Sequence, residues 1–196
     1  MIYVMTALYQ EAHGLIWELE LKKNTAYAPF EVFDNENAGI RLVVTGVGEI
    51  AAAAVVAAVC ARDGADAADF LINIGCCAAA NAGVDSGCET VDSGMDSGSG
   101  AANAAQTGDL YLCHKITEQA TGKTFYPDIL YRHPWKEREL VTGMQPLQRA
   151  AAQGVLYDME AAAVYQAGIR FFSPDRMIFL KVVSDSGVAG QERMTA

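Results

Sequence analysis

Short apolar runs alternate with helical stretches along this sequence, and that alternation leaves few folds open. MIYVMTA (1–7) is followed by a helical pattern around residues 10–22. FEVFD (30–34) and IRLVVTG (40–46) flank the turn-forming NENAG and are expected to pair as a hairpin. EIAAAAVVAAVCARDGA (49–65) is a nearly all-apolar helix, expected to be buried on most sides. DFLINIG (69–75), DLYLCHKI (109–116) and RMIFLKVVSD (176–185) read as further strands, the first and last apolar enough for the middle of a sheet. MEAAAVYQAGIRFF (159–172) reads as a helix between the last two. Strands alternating with helices predict an α/β protein: a three-layer α/β/α sandwich with a mixed, twisted central sheet.

The chain has 196 residues, which suits one domain with a substantial core. Hydrophobic residues make up 52% and charged residues 19%, a globular composition. A net charge of −10, with no block of Lys or Arg, argues against nucleic acid or an acidic membrane surface as partner. The opening MIYVMTALYQEAHG lacks a basic leader and reads as a first core strand, so a cytoplasmic location is expected. No apolar run reaches the roughly 18 residues of a membrane span. The five cysteines, Cys60, Cys76, Cys77, Cys88 and Cys113, form no C-x-x-C and are expected to be buried free thiols. The three histidines show no ligand spacing, so no metal is expected.

One segment departs from the pattern. Residues 81–107 repeat Asp-Ser-Gly three times and contain no basic residue. Gly, Ser and Asp at this density cannot build a core, so the segment reads as a long surface loop inserted in the domain. The calcium-loop spacing is missing from it.

The stretch VLYDMEAAAVYQAG (155–168) sets Asp158 and Glu160 where an extended segment turns into a helix. Acids there serve as helix caps in many proteins. VVTGVGEIA (43–51) follows a strand and opens a helix, as Gly46-x-Gly48-x-x-Ala51 in a dinucleotide site would. That pattern wants an acid at the exit of the next strand, whereas Asp69 stands at its entrance. An NAD-linked oxidoreductase is therefore the weakest of the readings. Glu11, Glu160 and Asp185 all lie beyond strand ends or at helix starts, where open α/β sheets bind ligands. Three carboxylates, with no Lys or Arg beside Glu11 and no metal ligands, suit a neutral polar substrate and acid/base chemistry.

Five segments, TALYQEAHGL, VTGVGEIAAAAVVAAV, LINIGCCAA, YDMEAAAVY and KVVSDSG, together resemble in order and spacing the nucleoside phosphorylase superfamily. The likeness is to its methylthioadenosine/S-adenosylhomocysteine nucleosidases. It covers most of residues 1–80 and 109–187. It implies hydrolysis of the N-glycosidic bond of a purine nucleoside, without a cofactor, by a homodimer. Glu11 would help activate the attacking water, and Met159 and Glu160 would pack under the ribose and accept its hydroxyls. Asp185 would protonate N7 of the purine, oriented by Ser184, while Cys76 and Cys77 would line the site. An oxocarbenium-like ribosyl gains from nearby carboxylates. Partial burial among the other acids should raise the pKa of Asp185. Glu160, at a helix N-terminus, should stay ionised while Asp158 caps.

Phosphorolysis is the sister reaction and needs donors around phosphate, usually arginine. ALYQEAHG offers none, so hydrolysis is favoured. The sequence also departs from the family. VTGMQPLQRAAAQG brings no aromatic to the base, the chain stops soon after the Ser-Asp pair, and residues 81–107 interrupt the border of the site. A weakened nucleoside-binding protein thus stands as an alternative. Phe125, Tyr126, Tyr131 and Trp135 are expected to serve core or interface.

Overall fold

The computed structural model describes residues 1–79, 105–146 and 154–185, the last by its backbone. The elements run β1 (Ile2–Thr6), α1 (Tyr9–Glu18), β2 (Lys22–Lys23), β3 (Glu31–Asn35), β4 (Ile40–Val44), α2 (Glu49–Asp63) and β5 (Phe70–Ala79). They continue as β6 (Leu110–Glu118), β7 (Thr124–Phe125), β8 (Lys136–Thr142), β9 (Leu156–Asp158), α3 (Ala161–Gly168) and β10 (Met177–Asp185). The strands form one mixed sheet in which β1 lies parallel to both β4 and β5, and β10 runs parallel to β5. The expected hairpin forms, with Glu31 to Asn35 antiparallel to Val44 to Ile40.

The sheet is not simply open. Strand β10 pairs with β5 on one side and β6 on the other, and β6 leads through β8 and β9 back to β5. Five strands thus close a barrel-like ring at one end of the sheet, and β1, β4, β3 and β2 extend from it. Parity along the central strands sorts the core. Tyr3, Met5, Leu71 and Phe179 face α2 and α3, whereas Val4, Leu42 and Ile74 face Ala12 and its neighbours on α1. Among the described residues no helix is long and apolar enough to cross a membrane.

Three expectations need correction. Helix α2 buries one stripe, Ala52, Val56, Val59 and Cys60, while Ile50 is 80% exposed. Its many alanines raise the apolar count with little surface to hide, so an apolar sequence did not require burial all round. Strand β5 does not end at Gly75 but runs through Cys76 and Cys77 to Ala79, because β9 and β10 continue to pair with it. Cys76 is consequently exposed, whereas Cys60, Cys77 and Cys113 are buried as expected. Cys88 lies outside the described residues, as does most of the 81–107 segment. Of the aromatic group, Phe125 stacks on Tyr165 at 5.1 Å, but Tyr126 is 57% exposed.

A charged cluster joins the hairpin to α2. Arg41 on β4 holds Asp34 through Nε at 2.7 Å and Nη2 at 2.9 Å, and also contacts Asp63 at the end of α2. Near the ring, Gly143 follows β8 where the Tyr157 hydroxyl would lie 1.8 Å from an added Cβ. That hydroxyl donates to the Gln145 carbonyl at 2.9 Å. Gly143→Ala must therefore displace Tyr157 and is expected to cost about 1–3 kcal/mol, the usual range for overpacking. Urea denaturation reads this directly, and unchanged stability would contradict the packing described.

Candidate functional site

Strands β1, β5, β9 and β10 end near one another, and each delivers a side chain or an amide to the same place. Glu11 stands in the first turn of α1, just beyond β1. Its Oε2 accepts from the Ala7 and Leu8 amides at 3.0 Å each, and its Oε1 accepts from the Cys76 amide at 2.7 Å. Glycine at position 75 eases this approach, since a Cβ there would lie 3.3 Å from Glu11 Oε1, a tight contact. A carboxylate has about four lone-pair positions, so three backbone donors leave Glu11 roughly one for a further partner.

Glu160 is the N-cap residue of α3, with φ −133° and ψ −32°, but its side chain does not cap. The carboxylate, 7% exposed, turns to the other helix start and accepts from the Gly48 amide at 2.8 Å. Gly48 adopts φ +96°, a conformation that favours glycine. The glycine-rich turn is thus a donor for a protein carboxylate, not a phosphate cradle. Asp69, at the entrance of β5, is bound to the amino terminus of Met1 at 2.6 Å.

The capping falls to Asp158, as expected. Its Oδ2 accepts from the Ala161 amide at 2.9 Å, and its Oδ1 from the Thr142 hydroxyl at 2.7 Å. Thr142 lies directly opposite Asp158 in the parallel β8–β9 pair, and its oxygen accepts in turn from the Ala162 amide at 3.0 Å. Asp158 has a partner that sequence reasoning missed. The Lys181 ammonium donates to Asp158 Oδ2 at 2.8 Å, with both side chains 1% exposed. The signal was present in FLKVVSD: a lone lysine inside an apolar central strand requires a buried counter-charge.

Burial and the ion pair set these charges. Burial alone would push Lys181 down, but the charge and hydrogen bond of Asp158, with Glu160 behind it, carry it above the ordinary lysine value. Glu160 is pushed above its ordinary range, first by burial and next by Asp158, while the Gly48 amide and Lys181 oppose the rise. The helix-terminus influence expected to keep it ionised is therefore outweighed by withdrawal from water. Cys77 is likewise pushed up by burial, so its thiol stays neutral.

Strand β10 carries the Ser-Asp pair. A register shift falls between Val183 and Asp185 against β5, which sets Ser184 outside the regular pairing. Such bulges re-aim side chains at strand ends. The Ser184 hydroxyl donates to the Cys77 carbonyl at 3.3 Å. The Asp185 backbone sits opposite Ala78, and its side chain lies outside what the structure describes. Met159 is half-buried between Asp158 and Glu160. Among the described residues, no three His, Cys, Asp or Glu side chains converge as a metal site. A separate cleft of about 490 Å³ runs along α1 between Tyr9, His13, Trp17 and Lys22 and shares no residue with this cluster.

No protein-family model matches the sequence, and no curated protein matches it. Solved structures do. The 5′-methylthioadenosine/S-adenosylhomocysteine nucleosidase of Neisseria meningitidis, in complex with methylthio-immucillin-A, superposes with a TM-score of 0.68 at 17% identity. That match covers 95% of this chain and 86% of the other. The Streptococcus pneumoniae enzyme, in complex with 8-aminoadenine, gives the same TM-score, identity and coverage, 0.68, 17%, 95% and 86%. The apo 5′-methylthioadenosine nucleosidase of Arabidopsis thaliana gives 0.68 at 18% identity, covering 99% of this chain and 84% of that one. The fold is that of these nucleosidases.

The raised Glu160 has a consequence for stability. The folded state holds this proton more tightly than the unfolded chain. Its contribution is fully present below the ordinary value of 4.5 and is lost as pH rises through the folded value. The stability of the wild type relative to Glu160→Gln is therefore expected to fall as pH rises through that window. Denaturant midpoints across pH measure it, and a flat difference would contradict the assignment.

Proposed function

We propose that this protein hydrolyses the N-glycosidic bond of a purine nucleoside of the methylthioadenosine or S-adenosylhomocysteine type. One observation carries the reading. On a nucleosidase fold, the Glu160 carboxylate is withdrawn from water with one backbone donor and an amide-bound Glu11 nearby. A buried carboxylate with acceptor positions to spare suits a sugar diol, whose two hydroxyls supply the missing donors.

In this reading Met159 and Glu160 hold the ribose. Glu11, fixed by the amides of Ala7, Leu8 and Cys76, uses its remaining acceptor position to orient a water towards C1′. The C1′–N9 bond breaks, its electron pair passes to the purine, and Asp185 delivers a proton to N7 so that the base leaves neutral. The water completes the ribose and releases its proton to the carboxylates. Ser184 and the bulge in β10 set the position of Asp185, while Cys76 and Cys77 line the floor through β5.

The amide cradle also supports water over phosphate as the nucleophile. Three N–H groups that could hold an anion already hold Glu11, and a second anion beside that carboxylate would be repelled. The layering we infer is three-layer α/β/α in one domain spanning 1–196, built on a sheet that closes on itself at one end. A cytoplasmic homodimer goes with the reading. It is supported by thiols at Cys60, Cys77 and Cys113 that form no disulfide, and by exposed apolar side chains such as Leu8 and Trp17.

Free base released from methylthioadenosine, at a rate indifferent to added phosphate, is the expected result. A rate that requires phosphate would make the protein a phosphorylase, and binding without release would make it a nucleoside-binding protein. Asp185→Asn is expected to lower the rate by roughly 10²–10⁴, the range for a lost proton donor. The loss should be smaller for a riboside whose leaving group departs without protonation. Equal losses on both substrates would remove Asp185 from the leaving-group side.

A further inference from the structure

Lys181 is fully withdrawn from solvent, yet the proposed chemistry assigns it no contact with the reacting atoms. Its position in the sheet explains why it matters. In the parallel pairing of β10 with β5, Lys181 stands opposite Gly75, the glycine whose missing Cβ makes room for Glu11. Registered neighbours in a sheet project to the same face, so Lys181 leaves the sheet on the side where Glu11 and Glu160 gather. It spends its ammonium on Asp158. Asp158 in turn holds the Ala161 amide and, through Thr142, the Ala162 amide. The first turn of α3 is therefore anchored to β8, β9 and β10 by one buried cation.

We propose that Lys181 positions Glu160. Its pair with Asp158 fixes the helix start from which Glu160 reaches the Gly48 amide, and it balances the second carboxylate beside which Glu160 must sit. The inference rests on the nucleosidase reading for its consequence in turnover, but its cause is visible in the protein alone. Asp158 on β9, Lys181 on β10 and Glu11 on α1 face Glu160. Cys113 on β6 faces Lys181, and Glu49 on α2 faces Asp158. Of these groups only Lys181 is cationic. Removing it leaves two buried acids beside each other, and one must then keep a proton to higher pH. Removing Asp158's charge instead leaves the cation to Glu160 alone.

The two changes therefore act in opposite directions, whereas simple loosening of the helix start would return Glu160 towards its ordinary value in both. The Glu160 carboxyl is followed by NMR in substrate-free protein with isotope-labelled glutamate, its resonance assigned by loss in Glu160→Gln. Its midpoint is expected to move up in Lys181→Met and down in Asp158→Asn, each by roughly one to three pH units, the reach of a neighbouring charge. Lys181→Arg is expected to leave it near the wild-type value. In turnover, Lys181→Met should raise KM for the nucleoside about tenfold or more at neutral pH, the equivalent of one charge-assisted hydrogen bond, and Lys181→Arg should restore it.

A Glu160 midpoint unmoved in Asp158→Asn, or moved the same way in both variants, overturns the proposal. If Lys181→Met does not fold, as the loss of one member of a buried pair permits, Asp158→Asn decides by the direction of its shift alone. Failure of the wild type to release base from any nucleoside would sink the nucleosidase reading and leave this titration to be judged by itself.

Discussion

Lys181 and Asp158 meet at 2.8 Å where neither side chain is more than 1% exposed, and much of the structure is arranged around that contact. Two charges withdrawn from water are costly unless their remaining hydrogen-bonding capacity is met. For Asp158 the protein meets it with two further donors, the Ala161 amide of α3 and the Thr142 hydroxyl of β8, beside the lysine of β10. Thr142 on β8, Asp158 on β9 and Lys181 on β10 thus link three of the strands that close the ring β5–β10–β6–β8–β9. The ion pair and the ring closure thus support one another, and the helix carrying Glu160 starts from their junction.

Three acids at this end of the sheet are given three environments. Asp158 is saturated by a cation, a hydroxyl and an amide, which suits a structural group. Glu11 is held by three amides, which fixes its direction and leaves little capacity. Glu160 is buried with a single amide, which leaves it most in need of donors. Differences of this kind, imposed by surroundings on chemically similar groups, divide labour among carboxylates in a site.

Much of this organisation was legible in the sequence, and the remainder was hidden for identifiable reasons. The hairpin at 30–46 and strands β1, β5, β6 and β10 were visible because each holds a run of apolar residues bounded by turn signals. Strand β8 was not, and β9 was visible only as an extended stretch before a helix. KERELVT mixes charged residues with apolar ones because one side faces outward, and Leu156–Asp158 is too short to carry a period. The ring they close is a tertiary fact. Glu11 and Glu160 could be singled out from their places at element junctions, and Asp158's cap followed from ordinary helix-start chemistry. The upward push on Glu160 could not be foreseen, since the sequence suggested a helix end and not the depth of burial. Lys181 could have been found, because a lysine in the middle of an apolar strand implies an acid opposite it.

In the proposed reading, nucleoside binds among Gly48, Cys76 and the first turn of α3, and not in the cleft along α1. Backbone amide resonances recorded while methylthioadenosine is added test this most directly. The Gly48 and Cys76 amides donate to the two carboxylates that would meet the ligand. The account predicts that they and Ala161 shift first and together, with the α1 residues Tyr9, His13 and Trp17 little changed. Shifts confined to those α1 residues, with Gly48 and Cys76 unmoved, would contradict it.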